Sequence, residues 1–207
     1  MERAWIEVER RAFDKNIQSL KQLIPSHTRI MAVVKGDAYG HGAVEIAKYL
    51  NLLGIQAFAV ATLTEGMTLR EHGVRGEILI LGYTAPEDMS KVIRYGLIQT
   101  VVDAEHAKAL ERFGERIPVH VKLDVGMHRL GENPDDKEAL RQIYGMPHLD
   151  ILGTYSHLSV SDGCDTESVG YTKRQICYFN RTIAMIRNWG YDPGKIHLQS
   201  SYGVVNY

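Results

Sequence analysis

The chain has 207 residues, 44% of them hydrophobic, enough to bury one α/β core of barrel size. Its 24 Lys and Arg nearly balance 25 Asp and Glu, and a net charge of −1 offers no electrostatic footprint for nucleic acid or an anionic membrane surface. No apolar run approaches a membrane span, and the start MERAWIEVERR lacks a signal-peptide core. Cys164 and Cys177 form no metal or redox motif and read as free thiols of a reducing cytosol.

In chain order, Phe13, Ile17, Leu20 and Ile24 recur at helical spacing, and Pro25 ends that helix. Strand-like runs follow at 29–35, 57–62, 77–83, 98–103, 118–124, 151–157 and 195–200. Helices are expected between them. One covers 43–53, and another, 86–95, opens with Pro86 at a favoured first-turn position. A third, near 167–189, carries Ile176, Phe179, Ile183 and Ile186 on one face. Gly54, Gly73, Gly96, Gly114, Gly145 and Gly190 fall where helices should stop, as left-handed C-caps do. Alternating strands and helices imply parallel pairing through right-handed crossovers, hence an α/β fold of the TIM-type (β/α)₈ barrel kind. Seven strands are counted where a closed barrel has eight. No linker or low-complexity segment interrupts the pattern, so 1–207 reads as one incomplete barrel domain.

Chemistry in a parallel barrel gathers beyond the carboxyl ends of its strands. Lys35 ends the first predicted strand and Leu81 lies near the end of the third. Lys122 and Asp124 close the fifth, His157 the sixth, and Ser200 and Ser201 the seventh. Polar residues are common at strand ends, so each alone is unremarkable as a signal; their convergence on one rim favours a site. Lys35 stands out, because a single lysine closes the apolar run of MAVVKGDAYGHG (31–42) and a glycine-rich turn bearing Tyr39 follows at once. An amine beside apolar surroundings deprotonates more easily and can form a Schiff base with a carbonyl.

MAVVKGDAYGHG closely resembles the cofactor-lysine motif of the alanine racemase family, and three further segments extend the resemblance over essentially all 207 residues. The family implies pyridoxal 5'-phosphate as cofactor, Lys35 as Schiff-base lysine and one of two catalytic bases, and Tyr39 as a phosphate contact. KLDVGMHRLG (122–131) resembles the segment in which a lysine, often carbamylated, positions an arginine. Lys122 is then the candidate carbamylated lysine. Arg129 is the residue that donates to the cofactor's phenolic oxygen and helps bind the substrate carboxylate. Val125 departs from a threonine common in the family, and His128 occupies a variable place. TYSHLSVSDG (154–163) places His157 beside the cofactor ring, and HLQSSYGVVNY (197–207) places Ser200 and Ser201 near its phosphate, Ser200 replacing the usual amide. Leu81 completes the implied cofactor contacts. No metal is implied.

The Gln-Ser-Ser-Tyr-Gly wording, RAWIEVE near the start and EILILGYTAPE at 77–87 resemble the racemase domain of membrane-bound serine/alanine racemases associated with vancomycin resistance. The implied parent protein is a cytoplasmic or membrane-anchored homodimer acting on alanine or serine. Its second base, a tyrosine, comes from a C-terminal β-domain, and its pyridine-nitrogen arginine sits near the eighth strand. Both are expected beyond Tyr207, so this piece is expected to be inactive or severely impaired alone. Unpaired first and seventh strands are expected to favour self-association, and AWIEV (4–8) reads as a strand that joins the absent domain. Two other readings remain: a single-domain pyridoxal-phosphate homeostasis protein, against which GDAYGHG argues, and a non-catalytic scaffold keeping an old barrel.

Overall fold

A computed structural model describes residues 5–207. The chain divides into two compact units, Met1–Leu79 and Ile80–Tyr207.

In the first unit α1 (Arg10–Leu23) ends where expected. Ile24 is extended, its N–H still bonded to Leu20, and Pro25 prevents continuation. Phe13 meets the Tyr49 ring at 5.9 Å, and Tyr49 Oη donates to Asp14 at 2.7 Å. β1 (Ala32–Val33) is much shorter than the 29–35 run, and Val33 is 43% exposed rather than buried on both faces. Within this unit it pairs in parallel with β2 (Ala57–Val60), Ala32 opposite Phe58. α2 (Lys35–Gly40) follows directly, then α3 (Ala43–Leu52) and α4 (Leu63–Glu71). The division falls at the end of β3 (Glu77–Ile80). Fully buried Phe58, Ala59, Val60, Leu69, Ile78 and Leu79 form this unit's core. The expected strand at 4–8 is absent over residues 5–8, and residue 4 lies outside the described residues. Trp5 and Ile6 stay exposed there, so no apolar burial supports a ladder.

The second unit continues with α5 (Met89–Arg94), β4 (Ile98–Val101), α6 (Ala104–Glu111), β5 (Ile117–Lys122) and α7 (Lys137–Tyr144). β6 (Leu149–Tyr155), α8 (Thr166–Asn188), β7 (Lys195–His197) and α9 (Ser201–Asn206) complete it. β4 pairs with β5, β5 with β6 and β6 with β7, all parallel and in chain order. β4 is buried throughout and β5 nearly so, as strands covered on both faces should be. Phe179, Ile183 and Ile186 of α8 are buried with Thr172, Gln175 and Thr182, while Ile176 is only half-buried. Helix starts are capped as the residue types suggest: Asp103, Asp136 and Asp165 each accept an N–H from three residues on.

Three expectations need correction. The helix at 86–95 opens as a tight 3₁₀ turn, Pro86–Asp88, before α5 begins. Gly145 ends α7 without entering the left-handed region, at φ −90°, whereas the other five helix-ending glycines do enter it. The strand expected over 195–200 stops at His197, because Ser200 turns its hydroxyl to cap α9, accepting the Gly203 N–H at 3.3 Å. Among the described residues no helix is long and apolar enough to cross a membrane.

Candidate active site

Lys35 begins α2, and α2 has the wrong hand. Gly36, Asp37, Ala38 and Tyr39 have φ of 58°, 54°, 52° and 55° with ψ of 38–47°, a full left-handed helical turn. Only Gly36 adopts this freely; for each L residue the Cβ crowds the following carbonyl at about 1–2 kcal/mol. Such strain persists where neighbours over-determine it. Here Ala38 N–H bonds Val34 at 2.9 Å, Asp37 Oδ1 accepts the Ala43 N–H at 2.7 Å, and Gly36 N–H donates to Glu65 Oε1 at 2.8 Å. The turn leaves Lys35 half-buried at the end of the β1 backbone and Tyr39 66% exposed.

In the second unit the strand period of two gathers a polar cluster, its His120, Lys122 and Tyr155 buried and its His197 half-buried. Lys122 lies in register with Tyr155 and Tyr155 with His197; His120 lies in register with Gly153. His120, Lys122, Tyr155 and His197 therefore share one face. The Tyr155 and His197 rings stack at 4.6 Å, and Lys122 Nζ lies 5.5 Å over the Tyr155 ring. Tyr155 Oη pairs with Thr100 Oγ1 at 3.0 Å. His120 Nδ1 reaches His197 Nε2 at 2.9 Å, passing Gly153, where any Cβ would sit 2.7 Å from the imidazole. A register shift between Val119 and His120 accompanies this crossing.

Burial sets the electrostatics of this cluster. It lowers the Lys122 amine to about 8, Asp124 opposing and Arg129 reinforcing. Nζ donates to the Leu123 carbonyl at 2.8 Å, which Ser156 Oγ also serves at 2.6 Å. Burial pushes Tyr155 up to about 12, its bond to Thr100 and the charge of Arg129 acting against the rise. His120 falls to about 4, by burial and then the Lys195 charge; His197 falls to about 3, by burial and then His120 and Lys122. Both rings are neutral near pH 7.

Arg129 rides on the loop after β5. Asp124 organises that loop, its Oδ1 accepting the N–H groups of Gly126, Met127 and His128 at 2.9–3.0 Å. Burial works against the Asp124 charge, yet those backbone donors and the His128 ring hold the carboxyl below its usual range. Tyr171 of α8 donates to the Gly126 carbonyl at 2.6 Å, and Gly131 passes so close that a Cβ would lie 2.7 Å from the Asp124 nitrogen. Arg129 is exposed at the loop tip, near enough to bias both Lys122 and Tyr155.

The remaining candidates occupy the expected ends with different local roles. Leu81 follows β3 and His157 lies two residues past β6; both are half-buried. Ser200 Oγ lies 3.0 Å from Ser161 Oγ, and Ser201 is exposed at the start of α9. Thus Lys122 and Arg129 share one electrostatic neighbourhood with Tyr155, while Ser200 belongs to a separate hydroxyl pair with Ser161. Sequence reasoning passed over His120 and Tyr155, and took His197 only as the histidine that opens HLQSSYGVVNY. The only available signal was the alternation His120–Lys122, since the contact to His197 depends on Gly153.

Parallel strands alternating with helices, with polar groups at or beyond strand carboxyl ends in each unit, define an α/β protein of the TIM-type class. Residues 8–207 match the alanine racemase N-terminal domain, and the chain belongs to that family. It is 43% identical over its whole length to an amino-acid racemase of Enterococcus faecalis, spanning 29% of that protein. A serine/alanine racemase of Enterococcus gallinarum is 41% identical over the whole chain, which spans 30% of it. Among solved structures, an alanine racemase of Clostridium difficile 630 in complex with cycloserine superposes with a TM-score of 0.84. The identity is 32%, covering 91% of this chain and 53% of that one. The chain therefore spans about a third of those curated relatives and about half of that solved racemase.

The family's cofactor is pyridoxal phosphate, and each unit by itself carries donor types that suit a part of it. In the first unit the Lys35 amine sits at the start of the left-handed turn. The second presents the hydroxyls of Ser200 and Ser201 at a helix start and a guanidinium, Arg129, on a braced loop. An aldehyde, a phosphate and a phenolic oxygen call for those three kinds of partner.

Proposed function

We propose that 1–207 is the cofactor-binding barrel domain of a pyridoxal-phosphate-dependent amino-acid racemase, acting on alanine or serine, with Lys35 as one of its two bases. The observation that carries the reading is the left-handed turn that fixes Lys35 at the end of β1 in a chain of the alanine racemase family. When bound, pyridoxal phosphate supplies an electron sink that acidifies the substrate Cα–H. Lys35 takes and returns a proton at Nζ on one face of the substrate. The resemblance assigns the opposite face to a tyrosine of a C-terminal β-domain.

Arg129 binds by its fixed fork of donors, holding the cofactor's phenolic oxygen and orienting the substrate carboxylate. Lys122 is the candidate carbamylated lysine. With its amine lowered to about 8, an appreciable neutral fraction exists at weakly alkaline pH, the form able to add carbon dioxide. Tyr39, Ser200 and Ser201 are proposed to hold the phosphate, with Leu81 and His157 flanking the ring. The enterococcal amino-acid and serine/alanine racemases support a place in the branch tied to vancomycin resistance, supplying a D-amino acid for peptidoglycan precursors. A cytoplasmic, homodimeric parent protein belongs to the same proposal.

The test is cofactor trapping. The chain is incubated with pyridoxal phosphate, reduced with borohydride and mapped by peptide mass, with Lys35→Ala as control. Selective modification of Lys35 is expected. Modification scattered over surface lysines, or none, overturns the assignment.

A further inference from the structure

We infer that Glu65 is a positioning residue for Lys35: its carboxylate clamps the left-handed turn that sets where the amine points. The inference rests on the reading of Lys35 given above.

Thr62-Leu63-Thr64-Glu65 has the spacing of a capping box, and Thr62 plays its usual part, accepting the Glu65 N–H at 3.3 Å. In that motif the glutamate ordinarily reaches back to the backbone N–H of the cap residue itself. Glu65 is diverted. One oxygen, Oε2, accepts the Ala61 N–H at 2.6 Å, at the end of β2. The other, Oε1, accepts the Gly36 N–H at 2.8 Å, from the first left-handed residue after Lys35. A half-buried carboxylate thus ties the start of α4 and the end of β2 to the strained turn through two charge-assisted bonds.

The geometry matters because α2 does not hold itself. Asp37, Ala38 and Tyr39 all oppose the left-handed conformation. Asp37 secures the far end of the turn, against the Ala43 N–H, and Glu65 secures the end adjoining Lys35. Without that anchor the Lys35–Gly36 peptide is free to rotate toward right-handed or extended backbone, which redirects the Lys35 side chain while β1 and α3 remain in place. Glu65 touches neither reacting atoms nor cofactor in this scheme; it acts through the Gly36 amide.

The test compares the whole chain with Glu65→Ala and Glu65→Gln. Glutamine keeps the size and one acceptor oxygen, but turns an N–H₂ donor toward one of the two backbone donors. The first readout needs no cofactor: amide hydrogen exchange of the peptide spanning 35–42. Exchange at Gly36 is expected to rise at least about tenfold in Glu65→Ala and less in Glu65→Gln, with β4–β7 unchanged. The second readout is borohydride trapping of pyridoxal phosphate, scored as the ratio of modified Lys35 to all modified lysines. That ratio is expected to fall about tenfold in Glu65→Ala, with partial rescue in Glu65→Gln. A purely structural role would not shift this ratio in a variant that keeps its fold, and Glu65→Gln carries the test if the alanine variant unfolds. Wild-type exchange at Gly36, or wild-type selectivity for Lys35 in both variants, overturns the inference. Failure of the wild-type chain itself to label Lys35 overturns instead the reading on which it rests.

Discussion

His120 Nδ1 and His197 Nε2 lie 2.9 Å apart, from strands separated by β6, because Gly153 leaves open the space over which the His120 ring crosses. One ring's N–H donates to the other ring's bare nitrogen while both imidazoles are neutral; an added proton would put a cation in this desolvated place. Both groups are depressed from 6.5, to about 4 and about 3. Between pH 6.5 and about 4 the unfolded chain therefore binds protons that the folded chain refuses. Stability is full above pH 6.5 and falls as pH drops through that window. Urea unfolding at pH 7 and pH 5 is expected to differ by about 2 kcal/mol per histidine. His120→Asn should flatten that dependence.

Gly153→Ala should cost about 1–3 kcal/mol, since its Cβ would meet the His120 ring at 2.7 Å and the Lys195 carbonyl at 2.8 Å. Thermal denaturation checks the loss. Combining it with His120→Ala is expected to recover part of it, a coupling that a double-mutant cycle reads directly.

Lys122 carries the opposite sign of expectation from most buried residues. Its amine is lowered from 10.5 to about 8 by burial, so below pH 8 it is charged in both states and its desolvation opposes folding. Stability should rise with pH between 8 and 10.5, as the unfolded chain keeps the proton longer. Lys122→Met leaves the Leu123 carbonyl bonded to Ser156 and is expected to stabilise by about 1–2 kcal/mol at pH 7. The gain should vanish near pH 10 in urea melts.

The left-handed turn sets stability against function. Tyr39 is 66% exposed, so Tyr39→Gly sacrifices little packing and removes one strained residue. A gain of about 1 kcal/mol is expected by denaturant unfolding, with weaker retention of pyridoxal phosphate before reduction. Asp37→Ala, which removes the acceptor for the Ala43 N–H, should instead lose about 1–2 kcal/mol.

Asp124→Ala removes the acceptor of three loop N–H groups. Hydrogen exchange over 125–131 is expected to accelerate while α7 and α8 keep their protection, and Arg129 loses its fixed approach to Lys122. Unchanged exchange in that loop would show that Tyr171 and Gly131 suffice to hold it.

Strand and helix identity was legible in the apolar runs, because burial on both faces demands near-continuous Val, Ile and Leu, and the helices carry their own caps. Arg129 was singled out by the resemblance of KLDVGMHRLG, whereas the positions of Lys35, Lys122 and His157 at or just past strand ends were legible in the apolar runs. Strand lengths were not: Val33 and Ile196 are apolar yet 43% and 38% exposed, since a local pattern does not state how many neighbours cover a strand. Nor was the hand of the turn after Lys35. Asp37, Ala38 and Tyr39 all prefer right-handed or extended backbone, and the carboxylates of Glu65 and Asp37, with the Ala38 N–H bond to Val34, overrule them. The pairing of His120 with His197, 77 positions apart, likewise waited on register, on a missing Cβ at Gly153 and on the burial that keeps both rings neutral. Local chemistry was written in the chain; which groups desolvate one another was decided only when the strands aligned.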